Sequence, residues 1–380
     1  MCNMVLTCVL FGLLVVCASG APRSECNDSN CKLPDCHCFG TAVPGGLEPK
    51  DIPQLVMLTF DDAIDATNYD DFYSKAFVNR RNPNGCNVSA SFFTTHDYSD
   101  YMRTYELYRM GHEISLHSIT HRTGTDYWAT ASVEQLEKEF IGQEVMLNKF
   151  GLIPKEAMKG IRAPYLQNAG DNTFEMLAKN NLKWDCSWPT GQNEINQIPW
   201  PYTLDFKSPQ DCPIPPCPQK THPGVWVVPM VDWMDDDGVH CSMVDACTYI
   251  TDEDKLVEFM KANFHRHYDG NRAPFPFFLH AAWFLAMPMR FDAYNKFLDY
   301  LETLKDVYVV TVSQALEWIQ NPTPTSQMGD FWKCWEVPED TCKPIECHLT
   351  REDVGEERYM EICSPCPATY PWIDNPAGSK

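Results

Sequence analysis

The sequence has no basic stripe. Lysine and arginine number 30 against 52 aspartates and glutamates, giving a formal net charge of -22 and a pI near 4.8. A phosphate backbone is held by concentrated positive charge, so nucleic-acid binding is excluded as an expectation. An internal repeat is also missing, which excludes solenoid and propeller arrays. After residue 20, no uncharged apolar run approaches the length of a bilayer span, so no membrane partner is expected. Ligand-like Cys-x-x-Cys spacing occurs only as Cys363-Ser-Pro-Cys366, which argues against a zinc ribbon.

The chain has 380 residues and is 44% apolar, enough for one large core or two ordinary domains. Its first residues lack a basic n-region, but LTCVLFGLLVVCASG is an apolar run closed by small residues. Ala18 and Gly20 fit a signal-peptidase site, so 1–20 is expected to be a secretory signal. Three of the 18 cysteines lie in that segment, leaving 15. An odd number in an oxidising compartment predicts disulfides and one leftover thiol. Asn27-Asp28-Ser29 and Asn87-Val88-Ser89 are expected glycosylation sites at Asn27 and Asn87.

Short apolar runs alternate with helical patterns. Strands are expected at 55–60, 88–95 and 113–117, then within GIRAPY, LKWDCSW, VWVVPMV, PFFLHAAW and VYVVT. Helices are expected near 68–79, 99–110, 132–150, 171–181, 251–265, 291–305 and 313–320. In the third of these, Ser132 and Gln135 form a capping box. Val133, Leu136, Phe140, Leu147 and Phe150 share a face, and Gly151 is the expected stop. Such alternation implies a parallel α/β sheet closed toward a barrel.

In that architecture chemistry collects where strands end. Asp61 and Asp62 end the first strand, His117 and His121 the third, and Arg162, Asp185 and His280 later ones. Two adjacent carboxylates repel unless a cation or an arginine offsets one of them. Two imidazoles and one carboxylate are a donor set suited to Zn²⁺.

TFDD (59–62), HSITH (117–121), RAPY (162–165), WDCSW (184–188) and FLH (278–280) together resemble the ordered motifs of the polysaccharide deacetylase domain, the NodB-homology type of carbohydrate esterase family 4. LPDCHCFGTAVPGGL and NRAPFPFFLHAAWF further resemble the insect-type chitin deacetylases. The resemblance spans about residues 26–320. It implies a distorted, incomplete (β/α) barrel with disulfide-stapled insertions. It also implies a metal, zinc or another divalent transition ion, on Asp62, His117 and His121. Asp61 would be the general base, Arg162 its ionic partner, Tyr165 an oxyanion donor through the backbone, and His280 the general acid. The implied substrate is chitin or chito-oligosaccharide. Rival readings are another acetylated glycan, such as peptidoglycan or acetylxylan, and a non-catalytic chitin-matrix binding protein on the same fold.

The family often places an aspartate directly before the aromatic of the fourth motif to tune the catalytic histidine. Here Ser187 precedes Trp188, leaving Asp185 or Asp232 as substitutes. Cys186 is the candidate for the leftover thiol. Trp188, Trp233 and Trp283 are candidates for sugar stacking, with core packing as the alternative. The Pro-rich stretch 189–250 is either a stapled wall of the cleft or a cap on the barrel. The expected organisation is a Cys-rich segment 21–50 packed on the barrel, a catalytic domain 51–320 and a Cys-containing extension 321–380. A secreted, extracellular monomer acting in a gut lumen or chitinous matrix is expected, with no separate chitin-binding module.

Overall fold

Alternation along the first strand sets the layers of the molecule. In this computed structural model, which describes residues 25–380 apart from 195, 196, 236 and 248, β1 spans Gln54–Asp61. The expected signal segment 1–20 lies outside the described residues. Successive strand side chains point to opposite faces. Val56, Leu58 and Phe60 join the core beneath the outer helices, while Leu55 and Met57 join a second apolar cluster on the inner side. Thr59 and Asp61 continue that inner series, so the pleat itself turns the first aspartate inward.

The remaining strands follow in order: β2 (Ser91–Thr94), β3 (Glu113–Leu116), β4 (Gly160–Ile161), β5 (Trp184–Asp185), β6 (Tyr202–Leu204), β7 (His222–Val227), β8 (Trp233–Met234), β9 (His240–Cys241), β10 (Phe275–His280), β11 (Val307–Val310), β12 (Ile345–Arg351) and β13 (Glu356–Ile362). One nine-stranded sheet runs β10-β1-β2-β3-β4-β5-β7-β6, with β11 also paired to β1. All its pairings are parallel except β6 with β7. β10 covers one edge of β1; β11 and β2 divide the other, on Gln54–Met57 and Thr59–Asp61. Among the described residues no pairing joins β10 to β6, so the barrel is distorted and incomplete, as expected. A Cβ on Gly160 would sit 2.0 Å from the Trp184 indole, so only glycine lets β4 pass that ring.

The expected helices occur within a few residues of their predicted bounds. The one beginning at Val133 has its Ser132–Gln135 capping box and runs through a π-helical turn, Glu137–Ile141, to Gly151. Gly151 is not the stop: it stays helical, and Leu152 takes the left-handed cap at φ 52°.

Among the described residues seven disulfides staple the flanks and the Pro-rich stretch. Cys26–Cys38 and Cys31–Cys36 fold the N-terminal segment, which meets the barrel through Thr203 N–H to His37 O and Trp200 N–H to Gly40 O. Cys212–Cys217 and Cys241–Cys247 close two loops of the Pro-rich stretch. Cys86–Cys334, Cys342–Cys363 and Cys347–Cys366 fasten the C-terminal segment, so Cys363 bonds to Cys342 ahead of β12 and Cys366 to Cys347 within it, and not to each other. Cys186 is the single free cysteine among the described residues, and it is buried. No described helix is long and apolar enough to cross a membrane.

Candidate active site

The C-terminal ends of the parallel strands bring the motif residues together. Asp61 is buried, and Arg162 donates to its Oδ1 at 2.5 Å. Arg162 is itself fully buried, with its guanidinium carbon 4.1 Å from the Phe93 ring centroid and 4.5 Å from that of Phe278. Three further donors go to Thr59 Oγ1, Cys186 O and Cys186 Sγ. A buried cation needs this degree of satisfaction, because an uncompensated one costs about 3–5 kcal/mol. Burial pushes the Cys186 thiol up to about 11 despite the adjacent arginine, so it is a protonated, inert acceptor.

Asp62 breaks the strand alternation. Its φ of 78° is left-handed, which costs about 1–2 kcal/mol for a residue with a Cβ and swings the half-buried carboxylate to the barrel mouth. There Asp62 Oδ1 lies 3.4 Å from His121 Nε2 and 3.8 Å from His117 Nε2. The three groups can present ligand atoms within 4.8 Å of one another. His117 Nδ1 is bonded to Arg162 O at 2.7 Å, which fixes the ring and turns Nε2 toward Asp62. Burial, assisted by His121, pulls His117 down to about 3, so the imidazole is neutral and its lone pair is free.

His280, at the end of β10, faces the same point, with Nε2 3.8 Å from Asp62 Oδ2. Its Nδ1 contacts Asp245 Oδ2 at 2.6 Å, and its backbone N–H donates to the same oxygen. Burial alone would lower the pKa of His280. The Asp245 bond and the fields of Asp61, Asp245 and Asp62 outweigh it and raise the value to about 9.

The polysaccharide deacetylase family profile matches residues 49–184. Over 379 residues the chain is 41% identical to "Chitin deacetylase 8" of Bombyx mori, covering 97% of this chain and 98% of that one. The chain belongs to the polysaccharide deacetylase family. It is also 37% identical over 372 residues to "Chitin deacetylase 1" of Bombyx mori, covering 93% of this chain and 68% of the relative. Within the family it groups with the insect-type chitin deacetylases. Among solved structures it is similar to a putative polysaccharide deacetylase from Mycobacterium smegmatis, at 19% identity and a TM-score of 0.47, covering 80% of this chain and 100% of that one.

This deacetylase departs from the sequence expectation at the histidine's partner. Asp185 does not reach His280: its carboxylate accepts from Ser187 N and Oγ and from Asn168 Nδ2. Ser187 Oγ in turn accepts from Ala163 N, so Asp185 secures the turn after Arg162. Burial raises Asp185 to about 6. Asp232 is also engaged elsewhere, by His240 Nδ1 and Ser242 Oγ. The partner is Asp245, carried inward by the loop that Cys241–Cys247 closes. Its only sequence signal is an aspartate inside a short disulfide loop.

Two of the three tryptophan expectations are overturned. Trp188 is 3% exposed, with Nε1 donating to Asp211 O. Trp233 is 2% exposed, with Nε1 donating to Pro276 O and its ring packed on Phe259, Phe275 and Phe277. Neither ring has a face free for a sugar, because core burial has taken both. Trp283 is 7% exposed but lines a cleft of about 560 Å³ with Leu166, Met243, Asp245, His280 and Arg290. A larger groove, about 1180 Å³, opens where β3 and β5 begin and holds none of the candidate base, acid or metal-ligand residues. The site is assigned by the convergent acid, base and ligand groups, not by volume. Tyr165, 43% exposed and left-handed at φ 57°, places its ring 5.2 Å from that of His121. Asn27 and Asn87 are both exposed.

Proposed function

We propose that the protein is a secreted, zinc-dependent hydrolase that removes the acetyl group from N-acetylglucosamine units of chitin or chito-oligosaccharides and releases acetate. The observation that carries this reading is the placement of an arginine-held carboxylate, Asp61, and an aspartate-held imidazole, His280, around the Asp62–His117–His121 cluster. One carboxylate and two imidazoles, one of them aimed by a backbone carbonyl, fit a zinc ion. When bound, the ion would supply Lewis acidity, acidifying a water and polarising the acetyl carbonyl.

Arg162 holds Asp61 through Oδ1, so Oδ2 receives the proton of the attacking water. The Tyr165 amide, in the turn that Leu166 N–H and Gln167 N–H close, is the backbone donor assigned to the developing oxyanion. An amide nitrogen leaves poorly unless it is protonated. His280 Nε2 delivers that proton, while Asp245 holds Nδ1–H and stabilises the imidazolium. Acetate and a free sugar amine are the products.

The names of the relatives support chitin as the glycan, and the acidic chain suits a neutral polymer or a cationic product. Residues 51–320 are assigned as the catalytic unit, 21–50 and 321–380 as stapled flanks, and Trp283 as a wall of the substrate cleft. The test is acetate release by the purified, zinc-supplemented protein. Chito-oligosaccharides of increasing length and amorphous chitin should be turned over faster than crystalline chitin. Acetylxylan or peptidoglycan outperforming every chitin substrate would overturn the substrate assignment.

A further inference from the structure

The helix beginning at Val133 buries an apolar face, yet two polar side chains sit on its buried side, Glu139 and Gln143, both fully buried. Their partners lie in the HSITH loop. Gln143 Oε1 accepts from the backbone N–H groups of His117 and Ser118, each at 2.9 Å. Glu139 Oε2 accepts from those of Ile119 and Thr120, at 3.2 and 2.9 Å. Glu139 Oε1 accepts from Thr120 Oγ1 at 2.6 Å and Tyr127 Oη at 3.1 Å. The last amide of the loop, His121 N–H, goes to Ser118 Oγ at 3.1 Å.

Side chains thus engage every backbone amide from His117 to His121. The loop needs this, because Ser118 (φ 82°) and His121 (φ 39°) are left-handed without being glycine. Such conformations persist only where the surroundings over-determine them. The departure from extended backbone at these two positions is also what turns His121 back toward Asp62. The π-helical turn at Glu137–Ile141 contains Glu139 and is an irregularity of the kind found at functional sites.

We infer that Glu139 is the positioning residue of the two-histidine loop, fixing where His121 presents its lone pair and thereby setting affinity for the ion. This rests on the metal reading given above. Glu139 does not touch the reacting atoms and acts through the loop. A carboxylate suits the site because it offers acceptors only, and all four partners donate to it, the two backbone N–H groups with no alternative and the two hydroxyls as they are oriented here. An amide here would point an N–H₂ at the Thr120 and Tyr127 hydroxyls or at the two backbone N–H groups. Gln143 faces a different set, two N–H groups on its oxygen and the Thr94 carbonyl on its nitrogen, and an amide satisfies both.

The test is zinc affinity, measured without substrate by competition with a chromogenic chelator, on the unmutated protein, Glu139→Gln, Thr120→Val and Asp62→Asn. Thermal midpoints of the metal-free proteins are recorded alongside. Glu139→Gln should weaken zinc binding by about 10–100-fold, the usual effect of removing an outer-sphere partner of a metal ligand. Acetate release should then need correspondingly more zinc, with the rate at saturating zinc nearly restored. Thr120→Val deletes one of the donors to Glu139 and keeps the carboxylate. It should shift affinity in the same direction by a smaller factor, and it decides the question if Glu139→Gln does not fold. A lowered metal-free midpoint with unchanged zinc affinity in both variants would overturn the inference, leaving Glu139 a structural brace. If Asp62→Asn also binds zinc normally, the metal reading itself fails.

Discussion

Replacing Asp245 by asparagine tests the proton-donor assignment most directly. The amide is isosteric and its oxygen can still accept from His280 Nδ1–H, so orientation is kept and the charge is removed. A general acid must be protonated, and His280 is raised to about 9, so the rate of the unmutated enzyme should hold into mildly alkaline solution. Without the bond and charge of the Asp245 carboxylate, only the fields of Asp61 and Asp62 oppose burial, and the pKa should fall toward the ordinary histidine value of about 6.5. At about pH 8 the protonated fraction then drops from roughly 0.9 to roughly 0.03, a loss of about 30-fold, while at about pH 6 the loss is under about twofold. The assay is kcat/KM for a chito-oligosaccharide across that range at saturating zinc. A divalent ion beside Asp62 pulls both profiles downward together, so the displacement between their alkaline limbs is the quantity to read. If Asp245→Asn loses the same factor at every pH, Asp245 only orients the ring and the electrostatic argument is wrong.

Three further outcomes are expected. Asp62→Asn should lose zinc and activity together, whereas Asp61→Asn should keep its zinc and lose about 10²–10⁴-fold in turnover, the usual worth of a general base; metal analysis giving the reverse pattern would show the pair assigned backwards. Asp61→Asn should also lower stability by a few kcal/mol, since Arg162 keeps its burial and loses its counter-charge. Alkylation of the unfolded, unreduced protein should label Cys186 alone among residues 25–380, and label at any other cysteine in that range would contradict the disulfide set. Trp233→Phe should lower the thermal midpoint with KM unchanged, because Trp233 packs the core; a raised KM with unchanged stability would return it to the sugar-binding role.

The catalytic motifs could be read from the sequence because each lies within a few residues at the end of one strand. TFDD, HSITH and RAPY put their chemistry where a parallel strand stops, and strand ends are visible as the close of an apolar run. The odd cysteine was legible for a similar reason, since counting needs no geometry. Trp188 and Trp233 were not, because a tryptophan that packs a core and one that stacks on a sugar look alike until burial is known.

Local sequence therefore determined the order of the parallel strands and the longer helices between them, the capping box at Ser132, the family and the candidate residues for base, acid and ligand chemistry. The tertiary structure decided what depends on contacts distant in the chain. Asp245 meets His280 across 35 positions because a disulfide loop folds over the end of β10. Glu139 reaches Ile119 and Thr120 from a helix face that otherwise reads as core. Arg162 lies beside Asp61 and Cys186 because β1, β4 and β5 end at the same rim. Each of these partners is an ordinary polar residue on its own segment. Their roles follow from a directional bond across a buried gap of a few ångströms, which periodicity along one segment does not encode.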